Sequence, residues 1–183
     1  MGAVRDMVRS DLYRYDGLAG TRGFWKGLTI PGFRYTWALR HAQGARGGPS
    51  RLMWKLYLQH LSYKFGIQIG AATTIGRGLH MGHFGTIVVH PDAIIGANCN
   101  IAQAVTIGIA NRGSLAGVPT LGDRVWVGAG SVIVGRISIG SNVLVAPNSV
   151  VRHDVPADSL VSGNPAQITH RADATEGYVN WLV

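Results

Sequence analysis

From Ile69 onward an aliphatic residue followed by a small one returns every six positions. Ile69-Gly70, Ile75-Gly76, Ile95-Gly96, Ile101-Ala102 and Ile107-Gly108 open the series. Leu121-Gly122, Val127-Gly128, Ile133, Ile139-Gly140, Val145-Ala146 and Val151 continue it after a break. Two positions earlier stands another small or apolar residue, as at Thr73, Ala93, Cys99, Val105, Val125, Ser131, Ile137, Val143 and Ser149. A period of six fits neither a 3.6-residue helix nor a long alternating strand. It fits a parallel β-helix, in which each short strand points one aliphatic side chain inward and a turn follows at once. Three such steps close a triangular coil, and hydrogen bonds between coils satisfy the backbone groups that the turns would otherwise strand.

The composition agrees. Glycine supplies 26 of 183 residues without a G-X-Y period, about twice its ordinary share of ~7%. With 46% hydrophobic and 14% charged residues, the chain is neither disordered nor a charged coiled coil. The register slips twice: Ile75 to Ile95 spans 20 residues and Ile107 to Leu121 spans 14, each two more than a whole number of repeats. The second slip holds IANRGSLAGVP, read as a loop over 108–120 that projects from the coil. Loops on rigid solenoids are where function concentrates.

Charge divides the chain. Residues 1–65 carry 11 Lys and Arg against 3 Asp, whereas residues 66–183 carry 6 Arg against 5 Asp and 1 Glu. The expected organisation is a basic helical arm over 1–65, a β-helix over 66–168 and a tail over 169–183. PSRLMWKLYLQHLSYKFG reads as a helix begun by Pro49 and Ser50, and one or two short helices are expected in 1–48. Cys99, at a repeat position with no basic neighbour, reads as a core residue; a single cysteine cannot form an intramolecular disulfide framework. The N-terminal stretch has no apolar core of a signal peptide. No apolar run reaches the ~18–20 residues of a membrane span. A cytoplasmic location follows as the expectation, with the inner face of the membrane as an adjunct. The arm's mixture of Arg, Trp and Tyr suits either a peripheral membrane contact or oligomer packing. It holds no nucleic-acid module, so nucleic acid is not expected as a partner.

The segments IQIGAATTIGRGLHMGHFGTIVV, CNIAQAVTIG, the loop to Pro119 and GNPAQI resemble the hexapeptide-repeat acyltransferases, and within them the serine acetyltransferase branch. That resemblance implies a left-handed parallel β-helix and acetyl transfer from acetyl-CoA to a hydroxyl. It places the general base at His83, a role suited to imidazole near neutral pH, with a backbone N–H of a coil turn stabilising the oxyanion. It puts acetyl-CoA along a groove between coils at Gly108, Ala129 and Pro147; Asn111 is a further candidate contact, and Arg112 or Arg152 suits the phosphates. It also implies a homotrimer or a dimer of trimers. A metal is not expected: the carbonic anhydrases that share this type of coil use three histidines, and residues 91–152 contain none.

Three departures from that branch bear on the acceptor. An aspartate that orients the base is replaced by Gln68, an aspartate before the base by Gly82, and an Arg-His pair by Gly117-Val118. Gln68 is either a neutral hydrogen-bond partner of His83 or an ordinary strand residue, and His80 lines the acceptor side beside Gly82 or faces solvent. A site without those charges has little to pair with an amino acid's carboxylate and ammonium. The expectation is therefore a saccharide acceptor, as in the colanic-acid and capsular polysaccharide O-acetyltransferases. Serine O-acetylation and a non-catalytic scaffold stand as the alternatives.

Overall fold

A computed structural model describes residues 2–45 and 47–183. Four helices precede the coil: α1 (Gly2–Tyr13), α2 (Gly20–Gly27), α3 (Pro31–Gly44) and α4 (Gly48–Phe65). The first 48 residues thus hold three helices where one or two were expected. Their apolar positions follow no single stripe because α3 is buried on several sides, through Phe33, Tyr35, Ala38 and Leu39. The fourth starts at a Gly-Pro and stops at Gly66, which has the left-handed conformation common just past a helix end.

The first coil comprises β1 (Ile67–Ile69), β2 (Thr74–Ile75) and an isolated bridge at His80. The second comprises β3 (Ile87–Val89), β4 (Ile94–Ile95) and β5 (Asn100–Ile101), and the third β6 (Thr106–Gly108), β7 (Thr120–Leu121) and β8 (Trp126–Val127). The fourth adds β9 (Val132–Val134), β10 (Ser138–Ile139) and β11 (Val143–Val145). The chain then forms β12 (Val150–Val151) and an antiparallel hairpin of β13 (Ser159–Gly163) and β14 (Ala166–His170). The first face stacks β1, β3, β6, β9 and β12; the second stacks β2, β4, β7 and β10; the third stacks β5, β8, β11, β13 and β14. Apart from the terminal hairpin, all strand pairs are parallel.

The inward column is the repeat itself: Ile67, Ile69, Ile87, Ile95, Ile101, Ile107, Leu121, Val127, Ile133 and Val145 are almost wholly buried. Cys99 belongs to this core, and burial pushes its thiol up to about 12. The glycines after the inward aliphatics serve stacking. A Cβ at Gly96 would lie 2.4 Å from the Gly122 carbonyl oxygen, and one at Gly140 would lie 2.4 Å from the Ala157 nitrogen. The left-handed turns fall two residues later, on Asn98, Arg124 and Asn142, at φ of 54° to 57°. Asn tolerates that region better than most residues.

The two register slips have different structures. Ile75 pairs with Ile95, and the extra residues sit in the corner that leads to β3, around His83. Between Ile107 and Leu121 the chain makes one step rather than two, from the first face to the second. The whole surplus goes into the loop, which is pinched by paired backbone bonds between Ala110 and Gly117 and held by Arg136 against Ser114 and Leu115.

Two appendages dock on this prism. The tail runs back along the third face, where Asn142 bonds Ala172 and Thr175, Asn100 bonds Tyr178, and Asn98 bonds Val183. The arm covers the first coil through buried polar anchors. Arg40 grips Asp11 through two nitrogens, at 2.8 and 3.2 Å, and also donates to the carbonyls of Ile75 and Gly76. The Leu79 N–H donates to Asp11 at 2.9 Å. Gly32 lets α3 approach the coil: a Cβ there would stand 2.0 Å from the Met81 oxygen.

Candidate active site

The corner from the third face to the first is a ladder of turns. Ala104 N–H donates to Gly85, Gly130 N–H to Gln103 and Asn148 N–H to Ala129. The widened topmost turn, residues 82–86, carries His83; Ala129 and Pro147 lie on lower rungs of the same corner. Their sequence separations of 46 and 64 residues are thus reduced to two and three rungs by the repeat alone. Gly108 ends β6 at the opposite edge of the first face, where the loop with Asn111 and Arg112 begins. One side of the prism therefore has the base at one edge and the loop at the other. Arg152 follows β12 on the last rung of that face.

His83, Asn111, Arg112, Pro147 and Arg152 are exposed, and Ala129 is half-buried. Gly108 differs from the stacking glycines. A Cβ there meets nothing nearer than 3.5 Å, so the chain's own packing does not demand glycine. Space beside that backbone suits a close-lying ligand.

Gln68 is exposed in the middle of β1, opposite Val88. Among the described residues it makes no hydrogen bond to His83, so the neutral orienting pair weighed from the sequence is not formed. His80 is set far more firmly. Its N–H donates to the Cys99 carbonyl and its own carbonyl accepts from Ile101. Its ring lies against Tyr15 with centroids 4.4 Å apart. Burial, reinforced by the positive Arg14 and by His83, lowers the His80 imidazole to about 4, against the opposing pull of Asp16. His80 is therefore neutral at physiological pH and lies beside Gly82, where a Cβ would sit 3.3 Å from its Cε1.

The groups that sequence reasoning missed come from the arm. Tyr15 is buried, its hydroxyl donating to the Met81 carbonyl at 3.2 Å and accepting from the Met81 N–H at 3.1 Å. Desolvation raises that phenol well above its ordinary value, so it stays protonated. Arg14 donates to the Gly78 and Asn180 carbonyls and to Asn100 Oδ1, tying arm, coil and tail at one point. Asp16 is exposed in a left-handed turn at φ 53° directly after Tyr15, and its negative charge opposes the lowering of the His80 imidazole. An Arg-Tyr-Asp run with no period carries no sequence signal of contact; only the docking of α1 reveals it. Among the described residues, no group of three His, Cys, Asp or Glu side chains is arranged to hold a metal ion.

Residues 119–153 match the family model described as bacterial transferase hexapeptide (six repeats). The chain is 39% identical over 116 residues to the serine acetyltransferase of Synechococcus elongatus, covering 63% of this chain and 48% of that protein. It thus spans about half the length of the curated relatives it matches. The soybean serine acetyltransferase apoenzyme superposes with a TM-score of 0.77 at 30% identity, over 92% of this chain and 70% of that one. The same soybean enzyme complexed with serine gives 0.75 at 30% identity. A serine acetyltransferase in complex with CoA gives 0.74 at 28% identity, over 92% and 70% of the two chains. The expected fold class, a parallel β-helix by its repeat and left-handed by its resemblance, behind a helical arm, is shared with these proteins.

These relatives correct the saccharide acceptor expected from the sequence, and with it the likeness to polysaccharide O-acetyltransferases: the matches are serine acetyltransferases. The physical reason lies in the arm. Counting charges at Gln68, Gly82 and Gly117-Val118 counted only the coil, whereas the arm adds charge at the same end of it: Arg14 donates to the Gly78 carbonyl, and Asp16 is exposed two residues on. Sharing its coil, its helical arm and 30% of its residues with the soybean enzyme over 70% of that chain, the protein belongs to the serine acetyltransferase family of hexapeptide-repeat transferases.

Proposed function

We propose that the chain transfers the acetyl group of acetyl-CoA to the hydroxyl of serine, with His83 as the general base. The observation that carries this reading is the position of His83. It stands exposed on the widened top turn of a corner whose lower rungs hold Ala129 and Pro147, in a chain whose solved relatives bind serine and CoA.

His83 accepts the proton of the serine hydroxyl as that oxygen attacks the thioester carbonyl. The tetrahedral intermediate collapses with loss of the CoA thiolate, which takes the proton back from the imidazolium. Acetylserine and CoA leave, with no covalent enzyme intermediate. A coil-turn N–H supports the oxyanion. Asp16 supplies a carboxylate for the acceptor's ammonium, the charge that Gly82 lacks. His80, held neutral, adds a hydrogen-bonding ring without a competing positive charge. Gly108, Ala129 and Pro147 border the path of acetyl-CoA, with Asn111, Arg112 and Arg152 at its ends. A homotrimer is the assembly proposed.

The test is incubation with acetyl-CoA and L-serine, following free thiol and identifying the product by mass. Equal amounts of CoA and O-acetylserine, lost in His83→Ala at unchanged circular dichroism, support the reading. CoA release without acetylserine, or equal turnover in the variant, overturns it.

A further inference from the structure

The helical arm contains a cavity that the proposed reaction does not use. Between α1, α2, α3 and α4 lies a groove of about 1150 Å³, just above the roughly 300–1,000 Å³ that small-molecule sites enclose. Its walls include Val8, Leu12, Leu18, Phe24, Trp37 and Trp54, and none of its lining residues is among those placed around His83. His41 adds an apolar surface, stacked flat on Trp54 at 4.2 Å, with burial lowering its ring below the ordinary histidine value. Arg5 and Arg9 also line the groove and are exposed.

Hydrocarbon walls with cations at the edge select a particular chemistry. A polar metabolite would leave its hydrogen-bonding groups facing Trp and Phe rings, at a cost. An anionic amphiphile satisfies both parts. The surroundings point the same way: Trp25, Leu52, Met53 and Leu56 are more than half exposed on α2 and α4, a density of bare apolar side chains that marks an interaction surface. Arg22, Lys26, Arg51 and Lys55 are interspersed with them and exposed. Of the three carboxylates on the arm, Asp11 is committed to Arg40, which leaves Asp6 and Asp16 against those cations. A second copy of the chain is a poorer match, because its own arm is equally basic and its coil and tail together carry 6 Arg against 6 acidic residues.

We propose that this groove receives an acyl chain of an acidic membrane lipid, with Arg5 and Arg9 meeting the headgroup and the exposed apolar residues of α2 and α4 entering the bilayer interface. Basic residues beside an apolar face are the two signals that peripheral attachment to anionic bilayers needs. The arm then has two faces, one clamped to the coil and one on the membrane. No helix of the described residues is long and apolar enough to cross a membrane, so the attachment is peripheral.

The test uses the full chain with vesicles of phosphatidylcholine, alone or mixed with phosphatidylglycerol carrying dibrominated acyl chains. Cosedimentation with the acidic vesicles alone is expected, weakened roughly tenfold or more in Arg5→Glu/Arg9→Glu, whose melting temperature should match wild type. Bromine quenching should persist in Trp25→Phe and fall sharply in Trp37→Phe and in Trp54→Phe, which separates a chain in the groove from simple surface adhesion. The proposal is overturned by equal binding to neutral vesicles, by no binding to either, or by quenching confined to Trp25. It is also overturned if Arg5→Glu/Arg9→Glu abolishes self-association in sedimentation velocity while acidic vesicles are ignored, since a second copy would then be the occupant. None of these outcomes depends on acetyl transfer.

Discussion

The arm and the coil are held together by opposite means. The coil stacks many equivalent small contributions: an aliphatic side chain per strand, a glycine or Asn at most corners, and backbone bonds from rung to rung. The arm docks through a few buried polar groups, Asp11, Arg14, Tyr15 and Arg40, each aimed at a backbone atom of residues 75–81 or at its neighbours. A coil of this kind degrades gradually under substitution. A dock of this kind fails at single points, and it fails next to His83.

The largest effect is expected at the dock. Arg40→Leu leaves the Asp11 carboxylate buried without its partner and should cost about 3–5 kcal/mol in denaturant unfolding. Asp11→Leu/Arg40→Leu, which removes both charges, should recover most of that. A cost near that of an exposed ion pair, below about 1 kcal/mol, would mean that the pair does not anchor the arm.

His80 gives the next effect, as a pH dependence. Its imidazole is neutral in the folded chain down to about 4, against 6.5 for the unfolded side chain. The unfolded state therefore binds the extra proton between these values. Stability is full above pH 6.5 and falls as pH drops toward 4, by at most about 3 kcal/mol. His80→Phe, measured by denaturation across that window, should flatten the slope. An unchanged slope would assign the loss to other groups.

Within the coil, glycines should divide by what a Cβ would meet. Gly96→Ala forces a Cβ against the next coil's carbonyl and should cost about 1–3 kcal/mol. Gly108→Ala should change stability by no more than about 0.5 kcal/mol while raising the KM for acetyl-CoA. Equal stability losses at both positions would remove the reason for placing a ligand beside Gly108.

Sequence and structure part company along the same boundary. The inward column, the corner glycines, the core place of Cys99 and the projecting loop are all visible in a period of six, because each residue's environment is set by its place in the repeat. The loop's anatomy was less visible: the 14 residues from Ile107 to Leu121 read as two steps with a small excess, whereas the chain makes one step with a large one. Only the pairing of Leu121 with Ile95 decides it. The arm's contacts join Asp11 to Arg40, 29 residues apart, and Arg14 to Asn100, 86 apart, with no period to announce them. The acceptor expectation failed along the same line: it weighed charge on the coil at Gly82 and not the exposed Asp16 of the arm, on a segment whose placement the repeat does not govern.

We propose a division of labour, with chemistry on the coil at His83 and acceptor recognition from the arm at Asp16. Steady-state kinetics of His83→Ala and Asp16→Asn, with serine and acetyl-CoA each varied, test it most directly. His83→Ala should lower kcat by about 10²–10⁴-fold. Asp16→Asn should raise the KM for serine roughly 10- to 100-fold, the worth of one charge-assisted contact, and leave the KM for acetyl-CoA unchanged. An Asp16→Asn enzyme with wild-type KM for serine would contradict the account, as would a His83→Ala enzyme with wild-type kcat.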